Sequence, residues 1–259
     1  MKITASSICW AHDSRANVLK KSREAGFTSI ELLTFPPEIF DLHGNLNLLQ
    51  PGELKLELSD AGLALAALHL GAIMTPTEAK RRRLTDYAKR AIDVAQEVDC
   101  ELIVEGGPDR ASEPFDPFLK SLEELVAYAE GTPVSIALEN HYGNSIQFAE
   151  DYERIFSLFD SPHIGMTLDT GHFTSAGVDP AAIARRFGLR VLHVHVKDHI
   201  GTQSMPLGAG KTDNFGVVRE LKKHGFAGYL SQELEVHDRE NADRYAREGF
   251  AYLRRLSNC

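Results

Sequence analysis

The chain has 259 residues, 43% of them hydrophobic, enough to bury either two small domains or one large α/β barrel. Its net charge of −9 argues against a nucleic-acid partner, because phosphate binding needs a concentrated basic surface, and the one basic run, Lys80-Arg81-Arg82-Arg83, falls in a helical pattern and reads as a solvated face. Cys9, Cys100 and Cys259 lie far apart with no CxxC spacing, Met1 to Ser6 has no signal-peptide core, and no apolar run approaches about 18 residues, so the expectation is a cytoplasmic protein with neither a disulfide framework nor a membrane span.

A strand is expected over Lys2–Ile8, then a helix over Ser14–Ala25 that stops at Gly26. Strand two is Ser29–Leu33. A helix over Pro51–Ala61 ends at Gly62, and Leu63–Leu70 makes strand three. The same grammar continues with helix Thr77–Val98, strand four Glu101–Glu105, helix Phe115–Glu130 and strand five Val134–Glu139. Helix Ser145–Phe159 leads to strand six, Ile164–Asp169, and helix Pro180–Phe187 leads through Gly188 to strand seven. Helix Asn214–His224, strand eight Gly228–Leu234 and a helix over Asp238–Leu256 complete the chain. Strict strand–helix alternation implies a parallel sheet with right-handed crossovers, and eight units in about 250 residues predict a single (β/α)8 TIM barrel domain over residues 1–259. An open doubly wound sheet would carry a glycine-rich loop after strand one, and Ser6-Ser7-Ile8-Cys9-Trp10 has no glycine.

Strand seven is the unusual one. In Val191-Leu192-His193-Val194-His195-Val196-Lys197-Asp198, strand alternation puts His193, His195 and Lys197 on one face and Leu192, Val194 and Val196 on the other. Glu31, His69, Glu105, Glu139, His141, Asp169, His195, Lys197 and Glu233 stand at or near the C-terminal strand ends, the face where barrels of this kind carry their chemistry. Glu139, Asp169, His195 and Glu233 come from four consecutive strands and could converge on one point. Three carboxylates and an imidazole form a hard ligand set suited to one divalent ion, manganese or magnesium first, with cobalt or zinc as alternatives. His69 reads as a substrate contact or a satisfied core histidine. Lys197 reads as the holder of a substrate oxygen or as a salt-bridge partner of Glu233 or Glu235. Glu105 and His141 are further substrate-contact candidates. His193, deeper than His195, is expected to bond within the barrel, and Gly208 and Gly210 to shape a flexible loop over the mouth.

The stretches Ala137-Leu138-Glu139-Asn140, Leu168-Asp169-Thr170-Gly171-His172, His193-Val194-His195-Val196-Lys197-Asp198, Pro206-Leu207-Gly208-Ala209-Gly210 and Ser231-Gln232-Glu233-Leu234 resemble, in order and spacing, the xylose-isomerase-like barrels of the sugar phosphate isomerase/epimerase superfamily. The resemblance implies that Glu139, Asp169, His195 and Glu233 are metal ligands. It makes Glu139 and Glu233 the acid/base pair and His172 a polar partner beside the metal. It departs from ketose 3-epimerases, which carry Asn-Arg after the strand-five glutamate where this chain has Asn140-His141, and Lys197-Asp198 looks more like the inosose-dehydratase-type branch. The three-metal DNA-repair relatives need a histidine closing strand four, where this chain has Glu105-Gly106-Gly107.

The implied activity is isomerisation or epimerisation of a sugar or keto-sugar by proton abstraction α to a carbonyl, through an enediolate that a divalent ion stabilises. Dehydration of a keto-sugar or inosose uses the same first step, and a barrel that binds a metal-chelated sugar without turning it over is the alternative from another class. The sequence leaves homo-oligomerisation open.

Overall fold

The computed structural model describes residues 1–40, 42–73 and 75–259. The barrel strands are β1 (Lys2–Ser6), β2 (Ser29–Leu33), β3 (Ala64–Ala72), β4 (Leu102–Gly106), β5 (Ser135–Glu139), β6 (Ile164–Asp169), β7 (Val191–Val196) and β10 (Tyr229–Gln232). All eight pair in parallel, in chain order, and β10 closes on β1, so the described strands form a closed barrel with no sheet edge. The helices are α1 (Arg15–Ala25), α2 (Pro51–Ala61), α3 (Glu78–Glu97), α4 (Phe115–Ala129), α5 (Ala149–Leu158), α6 (Thr170–Ser175), α7 (Pro180–Phe187), α8 (Asn214–Lys223) and α9 (Ala242–Asn258). Between β7 and α8 lies a two-stranded antiparallel hairpin, β8 (Asp198–Ile200) with β9 (Gln203–Met205). Neither α6 nor this hairpin follows from the apolar periodicity, since both are too short to carry one.

Local chemistry sets the boundaries. Ser14 and Thr77 cap α1 and α3 by accepting the amides of Asn17 and Lys80, and α1 and α2 stop at Gly26 and Gly62, whose φ of 106° and 63° a side chain would resist. The helix expected from Ser145 begins instead at Ala149. The Ser145 amide bonds Pro108, and the Asp151 carboxylate accepts the amides of Gln147 and Phe148, so these residues are spent on a loop and a cap. The basic run also departs from expectation, because Arg81 is buried rather than solvated. Its guanidinium bonds Glu78 and Ser121 and pairs with Glu124 at 2.9 Å, tying α3 to α4.

The main core fills the space between barrel and helices, with Leu32, Ile103, Leu138, Leu168, Val194 and Leu230 facing Phe118, Leu122, Tyr152, Leu221 and Leu253. A second apolar cluster of Ala67, Leu102, Val104 and Ala137, with Leu192 against it, plugs the N-terminal end of the barrel interior. Leu192 therefore lies on the interior side, although strict alternation had put it opposite His193. The β6–β7 register slips between Met166 and Thr167, pairing Met166 with Val191 and Thr167 with His193, and the extra residue turns Leu192 inward. Above that slip the alternation resumes, and His193 and His195 share the interior.

Candidate active site

Above the apolar plug the interior turns polar, and each side chain there is fixed by strand register. Ser231 lies beside His195, Thr167 beside His193, Asp169 beside His195, and Ala67 beside Glu31. Glu31, Asp169, His193 and His195 have no exposed surface, and His69, Glu139 and Glu233 are buried as well.

Ligand atoms of Glu139, Asp169, His195 and Glu233 all lie within 4.8 Å of one another. His195 Nδ1 is 2.5 Å from Glu139 Oε1, 2.9 Å from Glu233 Oε2 and 4.0 Å from Asp169 Oδ2. The Lys197 ammonium stands on the other side, 3.4 Å from Asp169 Oδ2 and 3.2 Å from Glu233 Oε2, and Glu235 holds it at 2.5 Å. Asp169 is held in turn by Asn140, whose amide donates to the Asp169 carbonyl at 2.9 Å and accepts the Asp169 amide at 2.8 Å. Asp169 Oδ1 caps α6 by accepting the His172 amide at 2.6 Å, which leaves Oδ2 turned toward the cluster.

Electrostatics follow from this crowding. Burial pushes the Glu139 carboxyl up, but the His195 and His69 imidazoles outweigh it and hold it well below the usual carboxylate range. Glu233 is likewise lifted by burial and brought down further by His195 and Lys197. Asp169 goes the other way, well up, because burial joins repulsion from Glu233 and Glu139 against the pull of Lys197. Burial works against the charged forms of His195 and Lys197, yet the surrounding carboxylates raise both well above their ordinary values. Burial also opposes charge on His69, but Glu139, 3.3 Å from its Nε2, raises it to about 10.

A divalent cation fits this set. The four groups are oxygen-rich with one imidazole, and Asp169 Oδ2 and Glu233 Oε2 are buried without an aligned hydrogen bond, so two lone pairs face the centre of the cluster with only ion pairs to satisfy them. A buried carboxylate trio of this kind is costly without compensating positive charge.

The other candidates sort by geometry. His172 packs against His141 with ring centroids 3.8 Å apart and the rings tilted by 41°, and its Nε2 is 3.1 Å from Lys197 Nζ, so both histidines rim the cluster. His69 stands between Glu139 and Glu31, part of the buried network. Glu105 does not join them. Its register partner is Leu138, one residue out of step with Glu139, so its side chain lies on the helix-facing side of the sheet, where burial lifts its carboxyl well above the usual range against the pull of His69 and backbone amides. The register thus sets Glu105 apart from the quartet, on the face opposite Glu139. Beside the mouth opens a cavity of ≈ 470 Å³ whose walls include Trp10, Phe35, Phe40, Leu234, Glu235 and Val236.

The glycine loop over the mouth is tied down. The Asp198 carboxylate accepts the amides of Gly208 and Gly210 at 2.9 Å each and of Thr212 at 3.0 Å, and a Cβ at Gly210 would come within 2.2 Å of Asp198 Oδ1. Asp198→Ala leaves three amides, one on exposed Gly208 and two on half-buried Gly210 and Thr212, without their acceptor, at about 0.5–1.5 kcal/mol for each bond lost. The expected result is a lower melting temperature and faster hydrogen exchange at Gly208, Gly210 and Thr212, and unchanged exchange at all three would refute the tether.

The chain belongs to the xylose isomerase-like TIM barrel family, whose family model matches residues 19–256. It is 26% identical over 170 residues to the inosose dehydratase of Mesomycoplasma hyopneumoniae, a match covering 58% of this chain and 57% of that protein, so it spans little more than half of that relative. Among solved structures, a D-tagatose 3-epimerase-like protein superposes with a TM-score of 0.81 at 22% identity, covering 100% of this chain and 98% of that one. An IOLI protein with a binding zinc atom superposes with a TM-score of 0.83 at 18% identity, covering 99% and 98%. Among the described residues, no helix is long and apolar enough to cross a membrane.

Proposed function

We propose that this chain is a divalent-metal-dependent isomerase or epimerase of a sugar or keto-sugar, whose first step removes the proton α to a carbonyl. The observation that carries the reading is the convergence of Glu139, Asp169, His195 and Glu233 within 4.8 Å at the C-terminal mouth of the barrel. An ion held by these four would supply Lewis acidity toward a carbonyl and its neighbouring hydroxyl, with manganese, magnesium, cobalt and zinc all compatible with the donors.

The chain's own residues do the rest. Glu139 follows from β5 and Glu233 from β10, three places apart round the eight-stranded barrel, so their carboxylates reach a central substrate from different sides. One removes the proton. If the other returns a proton to the same carbon, the centre is inverted; if the first returns it to the neighbouring carbon, carbonyl and hydroxyl change places. Lys197, anchored by Glu235, turns a fixed ammonium toward a substrate oxygen, and His172 and His141 wall the rim.

A second reading, dehydration of a keto-sugar or inosose, is favoured by one observation. The Lys197 ammonium lies 3.2 Å from Glu233 Oε2, where it could hand a proton to a departing hydroxyl. Similarity to an inosose dehydratase supports the same reading.

The test is proton NMR in deuterated water on manganese-loaded protein with a panel of ketoses, inososes and 3-keto sugars. Loss of the α-proton signal with formation of an isomer is expected. Loss of water instead selects the dehydratase, and there Lys197→Met should impair elimination while sparing exchange. If no compound on the panel exchanges, the enzymatic reading falls and a sugar-binding barrel replaces it.

A further inference from the structure

Glu31 lies directly beneath the cluster, with no exposed surface, and what surrounds its carboxylate is imidazole. Its Oε2 is 2.5 Å from His193 Nε2 and 3.1 Å from His195 Nε2, and its Oε1 is 3.6 Å from His69 Nδ1. The far nitrogens of two of these rings meet Glu139: His195 Nδ1 stands 2.5 Å from Oε1 and His69 Nε2 3.3 Å from Oε2. Glu31, His195, Glu139 and His69 thus close a ring, with His193 bracing Glu31 from the deeper side.

An ionised carboxylate only accepts hydrogen bonds, so a ring nitrogen bonded to it must carry the hydrogen. A neutral imidazole with its hydrogen on Nε2 presents its lone pair at Nδ1, and Nδ1 is the nitrogen that faces Glu139, Asp169 and Glu233. We propose that Glu31 is a positioning residue: by accepting from His195 Nε2 and standing beside His69 Nδ1 it keeps one hydrogen of His195 on Nε2 and fixes the plane of that ring, so that Nδ1, which gives up its proton when a cation enters, already points at Glu139, Asp169 and Glu233. This rests on reading the cluster as a metal site, and Glu31, carried on strand β2, is held more precisely than a loop residue would be. The alternative use of the same residues, a second ion between Glu31, His69 and His195, whose ligand atoms also lie within 4.8 Å of one another, makes a different stoichiometric prediction.

Zinc, which is diamagnetic, is the probe. Chelator competition should give one zinc per wild-type chain, and Glu31→Gln, which keeps an acceptor but loses the charge, should bind it roughly 10–100-fold more weakly with its melting temperature near wild type. Long-range 1H–15N spectra of the zinc-loaded wild type, with His195 assigned through His195→Gln, should place its remaining hydrogen on Nε2. That measurement stands even if Glu31→Gln does not fold. Zinc affinity in Glu31→Gln within twofold of wild type, or a His195 hydrogen on Nδ1, overturns the role given to Glu31. Two zinc ions per wild-type chain overturn it as well, by making Glu31 a ligand. A wild-type chain that takes up no zinc removes the metal reading itself and this inference with it.

Discussion

Glutamine at position 139 or 233 is expected to lower turnover by roughly 10²- to 10⁴-fold, the range in which a positioned acid or base contributes, while some metal is retained. The amide keeps a carbonyl oxygen that can face a cation, but it cannot accept a proton. Its NH2 is also the wrong partner for a neighbour that donates. At Glu139 one oxygen meets His195 Nδ1 and the other His69 Nε2, so Glu139→Gln sets an amide nitrogen against a ring nitrogen unless one of them turns. At Glu233, Oε2 meets His195 and Lys197, and Glu233→Gln weakens the hold on that ammonium too. The two variants should differ in a way that identifies the reaction. With an epimerase, the variant that has lost the abstracting carboxylate stops exchange of the α-proton with deuterated water, whereas the other still exchanges but yields no inverted product. Steady-state rates and proton NMR on the same samples read both effects. Wild-type exchange and turnover in both variants would end the two-carboxylate mechanism.

The eight βα units were legible because each is written in a local code. Glycines at 26 and 62 end helices, apolar runs of strand length follow them, and closure into a barrel then needs only the count. The convergence of Glu139, Asp169, His195 and Glu233 was legible for the same reason, since residues at the ends of consecutive parallel strands must meet if the sheet closes. What alternation cannot foresee is a slip in register. One extra residue opposite Met166 and Thr167 turned Leu192 inward. Glu105 needed no slip, because along the regular β4 it takes the face opposite Leu102 and Val104. The burial of Arg81 was hidden because its partners on α4, Ser121 and Glu124, lie about forty residues further along the chain. Glu31 was visible as a strand-end acid, but nothing local distinguishes an acid that faces a substrate from one hydrogen-bonded to two histidines with a third imidazole at 3.6 Å. Pairing across the barrel, between residues 162 and 164 positions apart, decides that, and sequence pattern does not encode it.

Removing a ligand should act on the cation itself rather than on the proton transfer. Protein purified without chelator is expected to hold about one divalent ion per chain, and Asp169→Ala and His195→Ala should each lose most of it, together with any activity that manganese restores after EDTA treatment. The two losses have different physical origins. Asp169 contributes a buried oxygen, Oδ2, that has no aligned hydrogen bond, while its Oδ1 is committed to the His172 amide. Asp169→Ala therefore also uncaps α6 and loosens His172, so its melting temperature should fall even without metal. Asp169→Asn keeps an oxygen for that amide and separates the two effects, restoring most of the stability but little of the metal. His195 contributes a nitrogen that protons contest. Burial opposes its charge, but Glu233, Glu31 and Glu139 raise its pKa well above the ordinary value, so the cation must displace a proton there, and affinity should weaken as pH falls. In His195→Ala that competition is gone, and whatever weak binding is left should lose part of its pH dependence. Metal content by elemental analysis and affinity measured across pH check each statement. Undiminished occupancy in both alanine variants would remove Asp169 and His195 as ligands, and with them the hard-donor centre on which the proposed chemistry depends.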